Sequence, residues 1–235
     1  LSSPLVFSRA TLSPLWEGVD FRLRPGEFLT VLGPNGVGKS TLLSAIMGTR
    51  PLSAGEIRAT DRIGYIPQQR MFPADLPLRA RDLVSLALRH GVLRGRAPRR
   101  GDVDKALAAV GATGIAEHRV GLLSGGQQQL VRQAQALATE PALVLADEPL
   151  LSLDPAAQAA TVARLDAYRR SRDAAIVFVT HSINPVLGVT DRVLYLAPHG
   201  HRVGTVDEVM RSETLSALYG SPVDVVRVND RLVVL

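Results

Sequence analysis

The chain contains no cysteine, which excludes disulfides and thiolate metal centres and agrees with a reducing, cytosolic setting. It also lacks any run of about 18 or more consecutive apolar residues, so no membrane span is expected. The first residues, beginning at Leu1, lack the basic-then-apolar layout of a secretion signal, and a membrane role is expected to be peripheral. Aromatic residues make up only 4%, and none interrupts the densest basic run, Arg89 to Arg100, which includes Arg94, Arg96 and Arg99. Without base-stacking side chains, that run fits a solvated loop or a phospholipid-facing edge better than a nucleic-acid groove, and no nucleic-acid partner is expected. Lysine is nearly absent: of 27 basic residues only Lys39 and Lys105 are lysine. The net charge of +5 therefore reflects arginine, and suits either an anionic partner or an arginine-rich composition.

What is present is a chain of 235 residues, long enough for one large domain with an insertion, and free of internal repeats. One of its two lysines closes the run Gly33, Pro34, Asn35, Gly36, Val37, Gly38, Lys39, Ser40, Thr41, which satisfies the phosphate-loop pattern G-x-x-x-x-G-K-[ST] at every fixed position. Glycines let the backbone curl so that its N–H groups face an anion. Lys39 is suited to the β/γ-phosphates, and the Ser40 hydroxyl to Mg²⁺. The apolar strand Phe28 to Leu32 runs in and a helix from Ser40 to Met47 runs out, which places the phosphates at a helix N-terminus.

Before this loop the sequence alternates short apolar strands, Leu5 to Phe7 and Val19 to Leu23, with turns. After it come a strand Arg62 to Ile66 and two amphipathic helices, Arg79 to His90 with Leu83, Leu86 and Ala87 on one face, and Asp102 to Val110. Apolar strands resume at Ala142 to Ala146 and Ala174 to Thr180, separated by a helix from Pro155 to Arg170, which implies a parallel sheet covered on both faces. Arg192 to Leu196 and His201 to Gly204 continue the sheet, and Val223 to Val228 with Arg231 to Leu235 reads as a hairpin about Asn229 and Asp230. His199 and His201 read as exposed loop residues, and Arg169, Arg170 and Arg172 as the solvated end of a helix.

Two further motifs carry chemistry. Leu143 to Glu148 is an apolar strand ending in two carboxylates; Asp147 suits Mg²⁺, largely through water, and Glu148 suits general-base activation of an attacking water. Leu123, Ser124, Gly125, Gly126 and Gln127 open a helix from Gln127 to Ala138. In isolation this is a helix cap; beside a phosphate loop it is also a second anion-binding helix end.

Together these motifs resemble the nucleotide-binding subunit of an ATP-binding-cassette (ABC) transporter over essentially the full length. The resemblance implies an α/β P-loop NTPase cassette with a parallel-sheet core, an N-terminal antiparallel β lobe and an α-helical insertion. Residues 1–69 and 123–210 would form the catalytic core with the β lobe, 70–122 the helical subdomain, and 211–235 a C-terminal helix and hairpin. Residues Gly33 to Thr41 match the Walker A loop, Leu143 to Glu148 the Walker B strand and Leu123 to Gln127 the signature sequence. Gln68 matches the Q-loop glutamine, a Mg²⁺ and water contact, Asp154 the D-loop and His181 the switch histidine. The family pattern implies ATP and Mg²⁺ as cofactors and a head-to-tail pair of cassettes, expected as a homodimer, in which Ser124 and Gly126 of one copy close over the nucleotide of the other. It also implies an integral membrane permease, an extracytoplasmic substrate-binding protein reached indirectly, and a peripheral position on the cytoplasmic face of the membrane.

The chain departs from that pattern at Ala10 to Pro14, where relatives present an adenine-stacking aromatic; Trp16 is left either to substitute for it or to join the core. It departs again at Leu130 and Gln135, where relatives often carry arginine. The segment Thr180 to Leu187, with Leu215 to Gly220 and the terminal hairpin, is similar to subunits of zinc and manganese importers, and siderophore and haem importers share such tails. The resemblance thus implies an ATP-hydrolysing importer subunit for a divalent metal ion, with a siderophore or haem importer, or a non-transport cassette ATPase, as alternatives.

Overall fold

The strand that feeds the phosphate loop is buried along its whole length, and its alternate side chains enter two different cores. In the computed structural model, which describes residues 3–68, 71–88, 100–229 and 231–235, this strand is β3 (Phe28–Leu32), preceded by β1 (Leu5–Leu12) and β2 (Trp16–Leu23). Helix α1 (Lys39–Ile46), β4 (Ala54–Ala59), β5 (Ile63–Ile66), α2 (Ala80–Leu88), α3 (Arg100–Ala109) and α4 (Gly125–Leu137) follow. Next come β6 (Leu143–Asp147), α5 (Pro155–Arg172), β7 (Ala175–Val179), β8 (Arg192–Ala197) and β9 (Gly200–Gly204). The C-terminal elements are α6 (Val206–Val209), α7 (Ser212–Tyr219), β10 (Val225–Val228) and β11 (Arg231–Val234). All of the basic run before Arg100, and Asp230 of the terminal turn, lie outside the described residues.

The main sheet has the order β5-β6-β7-β3-β8-β9, parallel except for β9 at the edge. β3, β6 and β7 are buried at every position because helices cover both faces, which is why their sequences read as continuous apolar runs. Leu29 and Val31 pack with Leu42, Leu43 and Ile46 of α1 and with the second, antiparallel sheet, β2-β1-β4. Phe28 and Leu32 face the other way, onto Val162 and Leu165 of α5 and Leu215 of α7. A third core joins Ala80, Leu83 and Val84 of α2 and Val103 and Leu107 of α3 to Val131 and Ala134 of α4. The helical layer therefore draws one wall from α4, beyond residue 122.

Three local expectations are corrected. On α2 the buried face is Ala80, Leu83 and Val84, and Leu86 is exposed, because α4 rather than the helix's own periodicity selects the face. Arg169 is not solvated: it is buried and its guanidinium pairs with Asp166 at 2.6 Å and Asp191 at 2.9 Å and donates to the Gly26 carbonyl, while Arg170 and Arg172 remain exposed as expected. His201 lies within β9 opposite Leu196 and is half-buried, whereas His199 stays exposed in the turn. At the two departures on the signature helix, Leu130 packs against the helical core and the Gln135 amide donates to the Leu83 carbonyl of α2.

Candidate active site

All the strands that carry the catalytic motifs run parallel, so their C-terminal ends converge on one edge of the sheet. Residues 33 to 41 leave β3 there and wrap the N-terminus of α1. Gly33 adopts φ 142°, and a Cβ at that position would lie 2.1 Å from the Leu196 carbonyl oxygen, so only glycine fits. Gly36 and Gly38 also have positive φ, the conformation by which a glycine-rich loop can present successive N–H groups to an anion. Lys39 is buried and its Nζ donates to the Gly33 and Pro34 carbonyl oxygens at 2.7 and 2.9 Å. Burial lowers its pKa, and the nearby Glu148 and Asp147 carboxylates partly restore it.

β6 brings Asp147 and Glu148 to the same edge. The Ser40 hydroxyl donates to Asp147 Oδ1 at 3.0 Å, joining the phosphate loop to the adjacent motif across 107 residues of sequence. Asp147 is almost wholly buried, and desolvation raises its pKa; the Ser40 hydrogen bond opposes this, Glu148 adds to it, and Lys39 and a hydrogen bond from Tyr65 oppose it. Tyr65 on β5, beside β6, is a site residue that motif reasoning passed over, its signal being only that it is the aromatic of the strand leading to Gln68. Glu148 holds φ 45°, a left-handed conformation uncommon for glutamate, with its N–H donating to the Val179 carbonyl. The carboxylate pair and the Ser40 hydroxyl form a hard oxygen donor set of the kind that suits Mg²⁺. Gln68 follows the end of β5 and is exposed, and His181 follows the end of β7 and is exposed.

The signature sequence lies elsewhere. Ser124 caps α4, its Oγ accepting from the Gln127 N–H at 3.3 Å while Gln127 Oε1 accepts from the Ser124 N–H at 3.0 Å, a reciprocal capping box. Gly125 and Gly126 form the first turn, with Leu153 beside Gly126, and Asp154 caps α5 by accepting from the Ala157 N–H at 2.9 Å. Among the described residues no hydrogen bond joins Ser124 to Gln127 with residues 33 to 41. Behind the cap, Gln128 accepts from the Phe72 N–H at 2.9 Å, and the Arg132 guanidinium stacks 4.2 Å over the Phe72 ring. The segment that follows Gln68 is thereby tied to the signature helix.

Trp16 belongs to the core: it is 4% exposed, pairs with Leu12 across β1 and β2, and with Leu15 packs beneath Gly38.

A phosphate loop at the C-terminal edge of a parallel sheet, a hydroxyl bonded to a buried aspartate and an adjacent glutamate define a P-loop ATP hydrolase. The ABC transporter family model matches residues 16–151, more than half the chain, and the chain belongs to the ABC transporter family, as an ATP-binding subunit that hydrolyses ATP. Curated relatives include the zinc import ATP-binding protein ZnuC of Ruegeria sp. (strain TM1040), 37% identical over 211 residues covering 89% of this chain and 82% of its own length. The protein of the same name from Cereibacter sphaeroides is 40% identical over 86% of this chain and 81% of its own length. The molybdate import ATP-binding protein MolC of Haemophilus influenzae is 33% identical over 88% and 83%. Among solved structures, a chain from an inward-facing ABC transporter provisionally assigned to the metal-chelate type superposes with a TM-score of 0.85 at 28% identity, covering 99% of this chain and 96% of that one. Family membership implies a membrane permease as partner, and no helix among the described residues is long and apolar enough to cross a membrane.

Proposed function

We propose that this chain energises an importer of a divalent metal ion, zinc or manganese, from the cytoplasmic face of the membrane, as one of two identical cassettes beneath a separately encoded permease fed by an extracytoplasmic binding protein. The observation that carries the reading is the similarity to two zinc import subunits at 37% and 40% identity over most of both chains. The cargo does not touch this subunit, and among the described residues no cluster of three or more histidine, aspartate or glutamate side chains could hold a metal ion. The molybdate import relative and the metal-chelate type neighbour favour a second reading, in which the cargo is an oxyanion or a chelate such as a siderophore or haem.

In the proposed mechanism the N–H groups of residues 36 to 41 and the Lys39 ammonium hold the phosphates, with Lys39 exchanging its two carbonyl acceptors for phosphate oxygens. Ser40, Gln68 and Asp147 would hold Mg²⁺, which when bound neutralises charge developing on the β- and γ-phosphates. Glu148 takes a proton from the attacking water as general base. His181 contacts the γ-phosphate, and Ser124 and Gly126 of a second copy cover it. The helical layer passes opening and closing to the permease.

The test is ATP-driven uptake by the reconstituted complex with its permease and binding protein, comparing Zn²⁺, Mn²⁺, molybdate, a ferric siderophore and haem. Uptake confined to Zn²⁺ or Mn²⁺ supports the first reading. Uptake confined to molybdate, siderophore or haem supports the second, and ATP hydrolysis without uptake of any of them would point to a non-transport cassette.

A further inference from the structure

The loop that carries His181 is fastened at its far end to the terminal hairpin, and we infer that Asn184 is a positioning residue for His181, with the β10 and β11 hairpin as its anchor. The inference rests on the role proposed above for His181.

No hydrogen bond from another described residue holds the His181 ring, so its position is set by its backbone. That backbone is fixed at two points. Upstream, the Thr180 N–H donates to the Val31 carbonyl of the strand feeding the phosphate loop, and the Thr180 hydroxyl both donates to the Ser182 carbonyl and accepts from the Ser182 N–H. Downstream, Asn184 uses both ends of its side-chain amide on one residue of β11: Nδ2 donates to the Leu232 carbonyl at 2.9 Å and Oδ1 accepts from the Leu232 N–H at 2.8 Å. Such a two-point pairing fixes the orientation of the amide, not merely its distance, in the way a strand partner would.

The hairpin itself is poorly buried. Leu232 is its one buried residue among those described, packing in the same core as Ile183, while Val226, Val228, Val233 and Val234 are exposed. A two-stranded hairpin is marginal by itself, so its attachment depends on what little it docks against. Beyond Leu232 and Asn184, the hairpin is joined to α7 by the Val225 N–H donating to Ser212 Oγ at 2.9 Å. A cavity of about 520 Å³ is walled by Gly33, His181, Asn184, Tyr219 and Leu232, so the hairpin, the histidine and the mouth of the phosphate loop share one space. Releasing Asn184 from Leu232 frees the 181 to 184 backbone without touching the groups that hold the nucleotide.

The test compares the wild-type full chain with Asn184→Ala, Leu232→Ala, His181→Ala and the double variant His181→Ala with Asn184→Ala, measuring steady-state ATP hydrolysis, binding of a fluorescent ATP analogue and amide hydrogen exchange. Asn184→Ala should lower kcat on the order of tenfold, as expected for loss of partly buried hydrogen bonds that hold a reacting group. KM and analogue affinity should stay within about twofold, because binding through the phosphate loop is intact. Exchange should quicken at both 181 to 184 and 231 to 234, and Leu232→Ala should act in the same direction, which covers the case of a poorly folding Asn184 variant. In the His181→Ala background Asn184→Ala should add nothing, since a residue that acts only through another is non-additive with it. Wild-type kcat in both Asn184→Ala and Leu232→Ala, or losses that multiply in the double variant, would overturn the inference while leaving His181 in place. Wild-type turnover by His181→Ala would remove the histidine's role and the inference with it.

Discussion

Arg169 shows how one side chain can be placed wrongly by local reasoning and still be decisive. It sits at the basic end of α5, where a solvated arginine would complement the helix dipole, yet its guanidinium reaches Asp191, which also accepts the Phe28 N–H at 2.8 Å, and the carbonyl of Gly26. Those partners are remote in sequence, so no local pattern announces them. Arg169→Ala should lower unfolding stability by about 3 kcal/mol, because it strands partly buried partners rather than removing a surface charge. Urea denaturation checks this: the midpoint should fall with little change in slope. His201 is a second case, since its register opposite Leu196 is set by strand pairing. Burial lowers its pKa from the ordinary 6.5. The unfolded chain then takes up the proton first on acidification. Its contribution to stability is complete above about pH 6.5 and lost as pH falls through the lowered folded value. Melting curves between neutral and mildly acidic pH should show this loss, and His201→Gln should flatten it. Unchanged slopes in the variant would assign the acid sensitivity to other groups.

At the scale of elements, the signature helix has two demands on one hydroxyl. Ser124 caps it in the single chain, and the same group is proposed to reach the partner's nucleotide. Ser124→Ala should therefore cost about 1 kcal/mol in the isolated chain through loss of the cap, and a larger drop in turnover than that loss explains. Glycine is a tolerable cap that offers no hydroxyl, and it separates the two: Ser124→Gly should recover stability and not turnover. What the sequence disclosed at this scale followed from short-range patterns. The phosphate loop, the acidic end of β6 and the proline-started α5 are each written in consecutive residues. The buried face of α2 was not, because Ala80, Leu83 and Val84 and the alternative through Leu86 both satisfy helical spacing; packing against Val131 and Ala134 chose between them. The capping of α4 by Ser124 was readable, whereas Gln127's half of the capping box and the Phe72 contacts of Gln128 and Arg132, which span the helical layer, were not.

For the whole molecule, the phosphate loop and carboxylates stand at the sheet edge and the signature helix cap stands apart from them, and the function proposed above has two copies share one chemical task. Glu148→Gln should stop proton abstraction while sparing the Ser40 and Asp147 pair, so the variant should accumulate as a dimer in saturating MgATP. Light scattering reads this directly, and a persistent monomer would count against the head-to-tail pairing. The contact between Phe72 and Arg132 has a consequence at the same scale. The ring and the guanidinium lie on different segments, one just past Gln68 and the other on the signature helix, and replacing either removes the stacking contact between them. They are therefore expected to change together among relatives, so that the history of the family, read as paired substitutions at these two positions, should record that contact between the segment after Gln68 and the signature helix.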